Sequence, residues 1–218
     1  MRALTKNRSL SKEESDLTER WIFGIPTRRR FPRRQVVVYG IDHQWQADLV
    51  DLAKLSSYNK EFKYLLTCID VLSRYAWVVP LKDKTGKTLK DAFHVIFKSG
   101  RCPMRLHTDK GTEFINRVFQ KFLKEHDMHF FTTCNEETNA SIVESFNRTL
   151  KTKMWKYFTH REILTYVDVL SEMVASYDHT IHRTICIPPA EVTWANNGVQ
   201  EAKWKKGTQK IVQIFCRR

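Results

Sequence analysis

Three carboxylates stand where carboxylates are costly. Asp48 lies inside the largely apolar run Trp45-Gln46-Ala47-Asp48-Leu49-Val50, and Asp109 closes a short run just before Lys110-Gly111. Glu144 falls in the first turns of a long helical pattern. A charge inside or at the end of a strand is expensive unless it is paired or bound to a metal. Oxygen-only ligands of this type suit Mg²⁺ or Mn²⁺ rather than zinc. Two such ions about 4 Å apart activate a water or a 3′-hydroxyl and stabilise the leaving oxygen in phosphodiester displacement. Each acid also has a plain reading as a strand-end cap or a surface charge. Asp51, Asp70 and Glu113 compete: Asp51 points to the face opposite Asp48 by two-residue alternation, and capping before a hairpin is enough to explain Asp70. Spacing alone does not single out the three.

The elements that must position these acids follow from periodicity. Apolar, β-branched and aromatic runs predict strands over 45–52, 64–72, 75–81, 105–108 and 128–133. The Ser73-Arg74 joint is short enough for a hairpin, which makes the first three antiparallel. Helices are expected over 85–98, opened by Thr85 and stopped by Gly100 and Pro103, and over 116–126, with Val118, Phe119, Phe122 and Leu123 as the apolar face. Two more are expected over 140–158 and 161–178, the last with Ile163, Val167, Leu170, Val174 and Tyr177 at helical spacing. A short polar helix is expected over 10–20. This order gives an α/β fold, a mixed sheet flanked by helices. The first and fourth strands can be neighbours with the long helix across them, so one pocket can hold all three acids.

The long helix adds a basic shoulder. Glu144, Asn147 or Arg148, and Lys151 share one face, beside an apolar stripe of Val143, Phe146, Leu150, Met154 and Tyr157. Between Glu144 and Glu162 there are five Lys or Arg and no acid, a track that suits a phosphate backbone leaving a metal site. A solvated basic face explains the same five residues without a ligand.

Charge is segregated elsewhere too. The 218 residues carry 37 Lys plus Arg against 24 Asp plus Glu, a formal +13. Residues 1–40 hold a net +6 and residues 203–218 another +6, so the stretch between is nearly neutral. The sharpest cluster, Arg28-Arg29-Arg30-Phe31-Pro32-Arg33-Arg34, suits phosphate grip, nuclear import, or both. Nucleic acid is therefore the expected partner, with membrane excluded: no apolar run approaches the roughly 20 residues of a span, and the first residues lack a signal peptide's apolar stretch. Five scattered cysteines (68, 102, 134, 186 and 216) read as reduced thiols of a cytosolic or nuclear protein. The expected division is a basic arm and linker over 1–35, a core over 36–195 and a basic tail over 196–218.

Three segments, Trp45-Gln46-Ala47-Asp48, His107-Thr108-Asp109-Lys110-Gly111-Thr112-Glu113-Phe114 and Ile142-Val143-Glu144-Ser145-Phe146-Asn147-Arg148-Thr149-Leu150-Lys151, resemble in type and order the Asp, Asp, Glu signature of retroviral-type integrase cores. More narrowly, the chain is similar to integrases of the large self-synthesising DNA transposons called Polintons or Mavericks. The basic cluster followed by Gly40-Ile41-Asp42-His43-Gln44-Trp45, the stretch Lys82-Asp83-Lys84-Thr85-Gly86-Lys87-Thr88, and His182-Arg183-Thr184-Ile185 before Pro188-Pro189-Ala190 carry that resemblance. It covers about residues 28–195.

The resemblance implies an RNase H-like fold with a five-stranded mixed sheet. It implies a nuclear polynucleotidyl transferase that trims element ends and joins their 3′-hydroxyls to target DNA. Asp48, Asp109 and Glu144 would be both the catalytic residues and the ligands of two Mg²⁺ or Mn²⁺ ions. Asn147, Arg148 and Lys151 would face DNA, with Arg28, Arg29, Arg30, Arg33 and Arg34 as further grip. The expected partners are double-stranded DNA, as element end and target, and further copies of the same chain.

Some features depart from the family pattern. The 34 residues between Asp109 and Glu144 are one fewer than is usual in retroviral integrases. The loop between them carries Glu136 and Glu137, and Asn139 and Ser145 stand where related transposon integrases often have basic residues. No His-His-Cys-Cys zinc module precedes the core in these residues, and no Cys pair completes His126-x2-His129 or His179-x2-His182. These departures support the alternative of a catalytically inactive, transposon-derived DNA-binding protein. A nuclease acting on RNA–DNA hybrids would share the chemistry without the integrase-like motifs.

Overall fold

The computed structural model describes residues 38–132 and 140–194. The basic cluster 28–34, the predicted helix 10–20, Glu136, Glu137, Asn139 and the basic tail lie outside them. Within the described residues the fold is the expected one: five strands in one mixed sheet, with helices on both faces.

The strands are β1 (Gln44–Asp51), β2 (Tyr64–Asp70), β3 (Ala76–Leu81), β4 (Arg105–Thr108) and β5 (His129–Thr132), in spatial order β3-β2-β1-β4-β5. β1 pairs antiparallel with β2 and β2 with β3, while β1–β4 and β4–β5 are parallel. The β2–β3 hairpin closes where Arg74 takes a left-handed φ of 64°, and Arg74 N donates to Asp70 O at 2.9 Å. β1 is central, so both of its faces are covered, and its alternation divides the core. Trp45 and Ala47 face one layer with Leu66, Cys68, Phe93, Phe119 and Phe122. Val50 faces the other, with Leu65, Ile69, Val143, Phe146, Leu150 and Met154.

The helices α1 (Gly86–Phe97), α2 (Thr112–Ile115), α3 (Arg117–Glu125), α4 (Ser141–Arg161) and α5 (Leu170–Asp178) complete the two layers. α1 and α3 supply the first; α4 and α5 supply the second. Thr85 caps α1, its side chain accepting from Thr88 N, and Asn116 caps α3 by accepting from Val118 N at 2.8 Å.

Three expectations need correction. The helix predicted over 161–178 forms only from residue 170. Arg161 ends α4, Glu162 turns left-handed at φ 54°, and the chain to Tyr166 is tied to fully buried Asn59. Asn59 Nδ2 donates to Leu164 O at 2.9 Å, and its Oδ1 accepts from Tyr166 N at 2.7 Å. Those bonds replace the first helical turn, and they leave Ile163 at the surface. Val118, assigned to the apolar face of α3, is also exposed, while Phe119, Phe122 and Leu123 are buried. Finally, Cys68 and Cys102 are free but Cys186 is disulfide-bonded, because scatter along a sequence does not fix distance in space.

Candidate active site

β1 carries Asp48 into the middle of the molecule on the face opposite Trp45 and Ala47. Leu49 N donates to its Oδ1 at 2.8 Å, and Asn147 Nδ2, from α4, donates to its Oδ2 at 2.8 Å. β4 runs parallel beside it in a register that pairs Ala47 with Thr108. Asp48 and Asp109 are therefore the next residues along two adjacent parallel strands. Asp109 is exposed in the turn that follows, and its Oδ1 accepts from Gly111 N at 3.1 Å. Glu144 lies in the first turn of α4, where the helix dipole favours a negative charge.

The electrostatics show that the three acids share one neighbourhood. Asp48's carboxyl is held above the ordinary carboxylate range, chiefly by burial, with the charges of Asp109 and Glu144 pushing it further up. Hydrogen bonds from Leu49 and Asn147 oppose this only in part. Among the described residues no Lys, Arg or His forms an ion pair with Asp48, Asp109 or Glu144. Such a cluster is a poor salt-bridge network and a good match to a cation from outside.

Two of the three competing acids separate cleanly from this group. Asp51 is exposed and its Oδ1 accepts from Ala53 N at 2.8 Å, opening a short 3₁₀ turn. Asp70, fully buried, accepts from Ser73 N at 3.0 Å and meets Arg101, so its capping role holds. Glu113 does approach the site. A Cβ at position 111 would fall 2.8 Å from the Glu113 carboxyl carbon and 3.1 Å from Asp109 Oδ1, so both carboxyls close on this turn.

The helix residues divide. Arg148 and Lys151 are exposed on α4, as a backbone-facing track requires. Asn147 does not face outward as expected: it is 6% exposed and its amide holds Asp48. Its helical spacing from Glu144 could not show which way it turned. Gln46 was missed as well, although a glutamine two residues before Asp48 in an apolar strand was the available signal. It is 1% exposed, and its Oε1 accepts from Ile142 N and Val143 N at the start of α4.

The donor set fits a divalent cation by chemistry and by its uncompensated charge. Asn147 Oδ1, buried beside Asp48 without a partner, leaves a further oxygen unused there. Spacing is looser: among the described residues no three His, Cys, Asp or Glu side chains converge closely enough to hold one ion.

Comparison with known proteins agrees with this fold. Residues 40–137 match the integrase core domain family, a stretch that includes Asp48 and Asp109 and ends before Glu144. The chain is 36% identical over 142 residues to a transposon-derived protein of Caenorhabditis elegans, covering 63% of this chain and 49% of that one. It is 28% identical over 151 residues to the retrovirus-related Pol polyprotein from transposon TNT 1-94 of Nicotiana tabacum, covering 66% of this chain and 11% of the relative. The chain thus spans about half or less of the length of these relatives. Among solved structures, the catalytic core domain of HTLV-2 integrase in complex with magnesium superposes with TM-score 0.59 at 19% identity, covering 70% of this chain and 97% of that domain. The simian T-cell lymphotropic virus intasome in complex with a PP2A regulatory subunit gives TM-score 0.67 at 18% identity, covering 85% and 65%. The fold is that of an integrase catalytic core, RNase H-like. Together these findings show the chain to be similar to the integrase core domain family over residues 40–137 and to transposon-derived and retrovirus-related proteins over a longer stretch.

Proposed function

We propose that this chain is the catalytic core of a transposon integrase, acting in the nucleus on the ends of an element of the Polinton type. Mg²⁺ or Mn²⁺ held by Asp48, Asp109 and Glu144 would supply activation of a water or a 3′-hydroxyl and stabilisation of the leaving oxygen. The observation that carries this reading is the Asp48 carboxyl, held above the ordinary carboxylate range by burial and by the charges of Asp109 and Glu144, with no protein cation paired to any of the three acids among the described residues. The chain's own residues do the positioning. Asn147 and the Leu49 amide fix the Asp48 carboxylate, and the glycine turn at 111 fixes Asp109. Arg148 and Lys151 lie one and two turns along α4 from Glu144, where they would grip the phosphates of the bound strand. The arginines at 28–30, 33 and 34 would add non-specific affinity.

Double-stranded DNA, as element end and target, and further copies of the chain are the partners on this reading. The HTLV-2 core's magnesium and the intasome assembly of its simian relative are consistent with it. The test is joining of a labelled element end to target DNA with Mg²⁺ or Mn²⁺, wild type beside Asp109→Asn. Wild type is expected to join and the variant to lose joining while remaining folded; joining by Asp109→Asn overturns the assignment.

The absence of a tight three-acid cluster among the described residues favours a second reading, an inactive transposon-derived DNA-binding protein. It predicts salt-sensitive DNA binding with no nicking or joining under either metal.

A further inference from the structure

One side chain touches all three elements that carry the acids. Gln46 lies two residues before Asp48 on the same face of β1, and it pairs in register with His107, two residues before Asp109 on β4. Its Oε1 accepts from Ile142 N at 3.0 Å and Val143 N at 3.1 Å. These amides directly precede Glu144, and they belong to the helix start that has no intrahelical acceptors. α4 has no local substitute, since its N-cap residue is Ala140 and no side chain caps it from within.

The other end of the amide is fixed by elimination. With Oε1 taken by two donors, Gln46 Nε2 is the donor toward His107 Nδ1, 3.4 Å away. The His107 proton then sits on Nε2. His107 is itself 4% exposed and lies flat on Phe131 of β5, with ring centroids 4.7 Å apart and planes 5° from parallel. The imidazole cannot swing away without losing that stack. Gln46 is therefore braced at one end by β4 and β5 and holds the start of α4 at the other.

We propose that Gln46 is a positioning residue of the acid site: it sets where Glu144 stands relative to Asp48 and Asp109, with His107 as its brace. The inference rests on the three-acid reading above. A cap supplied locally would stabilise α4 equally well, but it would not register the helix against β1. A glutamine reaching from β1 does both, since sliding or rotating α4 breaks its two bonds together.

That difference gives the test. In the full chain, Gln46→Met removes the donor and the acceptor at similar volume, while Gln46→Met with Ala140→Ser returns a local cap to α4. Three readouts are taken: hydrogen exchange of the Ile142 and Val143 amides, free Mn²⁺ by electron paramagnetic resonance, and kcat and KM for joining of a DNA end. Gln46→Met is expected to speed exchange at both amides, raise the Mn²⁺ half-saturation about tenfold and lower kcat at unchanged KM. The double variant is expected to recover amide protection but not Mn²⁺ binding. Half-saturation within about twofold of wild type in Gln46→Met, or full recovery in the double variant, overturns the proposal. Gln46→Asn, one methylene shorter with the same amide, is judged by the same criteria if Gln46→Met does not fold. Asp48→Asn separates the two levels. Loss of Mn²⁺ binding in Asp48→Asn but not in Gln46→Met sinks only this inference, whereas unchanged binding in Asp48→Asn sinks the acid-site reading and this inference with it.

Discussion

The two ends of the sheet treat their acids in opposite ways. At the amino end of β1, Arg101 reaches Asp42 at 2.7 Å and fully buried Asp70 at 3.3 Å. Its guanidinium lies over the Tyr75 and Trp77 rings at 5.2 and 4.8 Å. Asp42 also accepts from Trp45 Nε1 at 2.9 Å. At the carboxyl end, Asp48 accepts from Leu49 N and Asn147 Nδ2 and Asp109 accepts from Gly111 N, and no protein cation pairs with either of them or with Glu144 among the described residues. At the amino end the acids come with their counter-charge. Acids left repelling each other in the same protein are kept at a cost, and a ligand that neutralises them removes it. The contrast is a stronger argument for a site than the presence of three acids.

It can be broken first at the structural end. Arg101→Met leaves buried Asp70 without its cation and is expected to cost about 3 kcal/mol in denaturant unfolding. A loss below about 1 kcal/mol would mean that the pairing is a surface convenience.

A smaller effect comes from Asp178, whose carboxyl burial pushes up to about 7 although it accepts from Ala76 N at 3.1 Å. The folded state holds a proton that the unfolded chain releases near its ordinary value of 3.8. The stability tied to that proton is complete below the lower value and is lost as pH rises through the upper one. His182, held down to about 4 chiefly by burial, acts with the opposite sign: it favours the folded state at neutral pH and loses that contribution as pH falls from 6.5 toward 4. Comparing wild type with Asp178→Asn cancels the histidine. Between pH 5 and pH 8 wild type should lose about 2 kcal/mol more than Asp178→Asn, and parallel pH profiles would show that Asp178 ionises normally.

The smallest change is expected at the candidate site itself. Asp48→Asn removes a charge disfavoured by burial and by the neighbouring acids but leaves one acceptor for the two donors Leu49 N and Asn147 Nδ2, so thermal or denaturant unfolding at pH 7 should stay within about 1 kcal/mol of wild type. A loss well above that would place Asp48 among the structural acids with Asp70.

Much of this architecture was legible in the sequence, because the strands and helices announce themselves by local periodicity. The five strands lie close to their predicted limits, and the pairing of β1 with β4 brings Asp48 and Asp109 together as the pattern implied. Non-local hydrogen bonds were not legible. Asn59 replaces a helical turn some hundred residues away, so the Ile163-to-Tyr177 period overstated the last helix. Asn147 turns inward to Asp48 because α4 packs close over β1, a rotation that helical spacing leaves undetermined. Gln46 reads as a polar interruption in an apolar strand until the start of α4 is seen against it.

The claim that Asp48, Asp109 and Glu144 form one uncompensated site is tested most directly by titrating the Asp48 carboxyl carbon by NMR. Wild type is set beside Asp109→Asn and Glu144→Gln, without added metal. The account predicts that Asp48 titrates above the ordinary carboxylate range in wild type and moves down toward it in each variant. An Asp48 titration that is the same in all three proteins would contradict it.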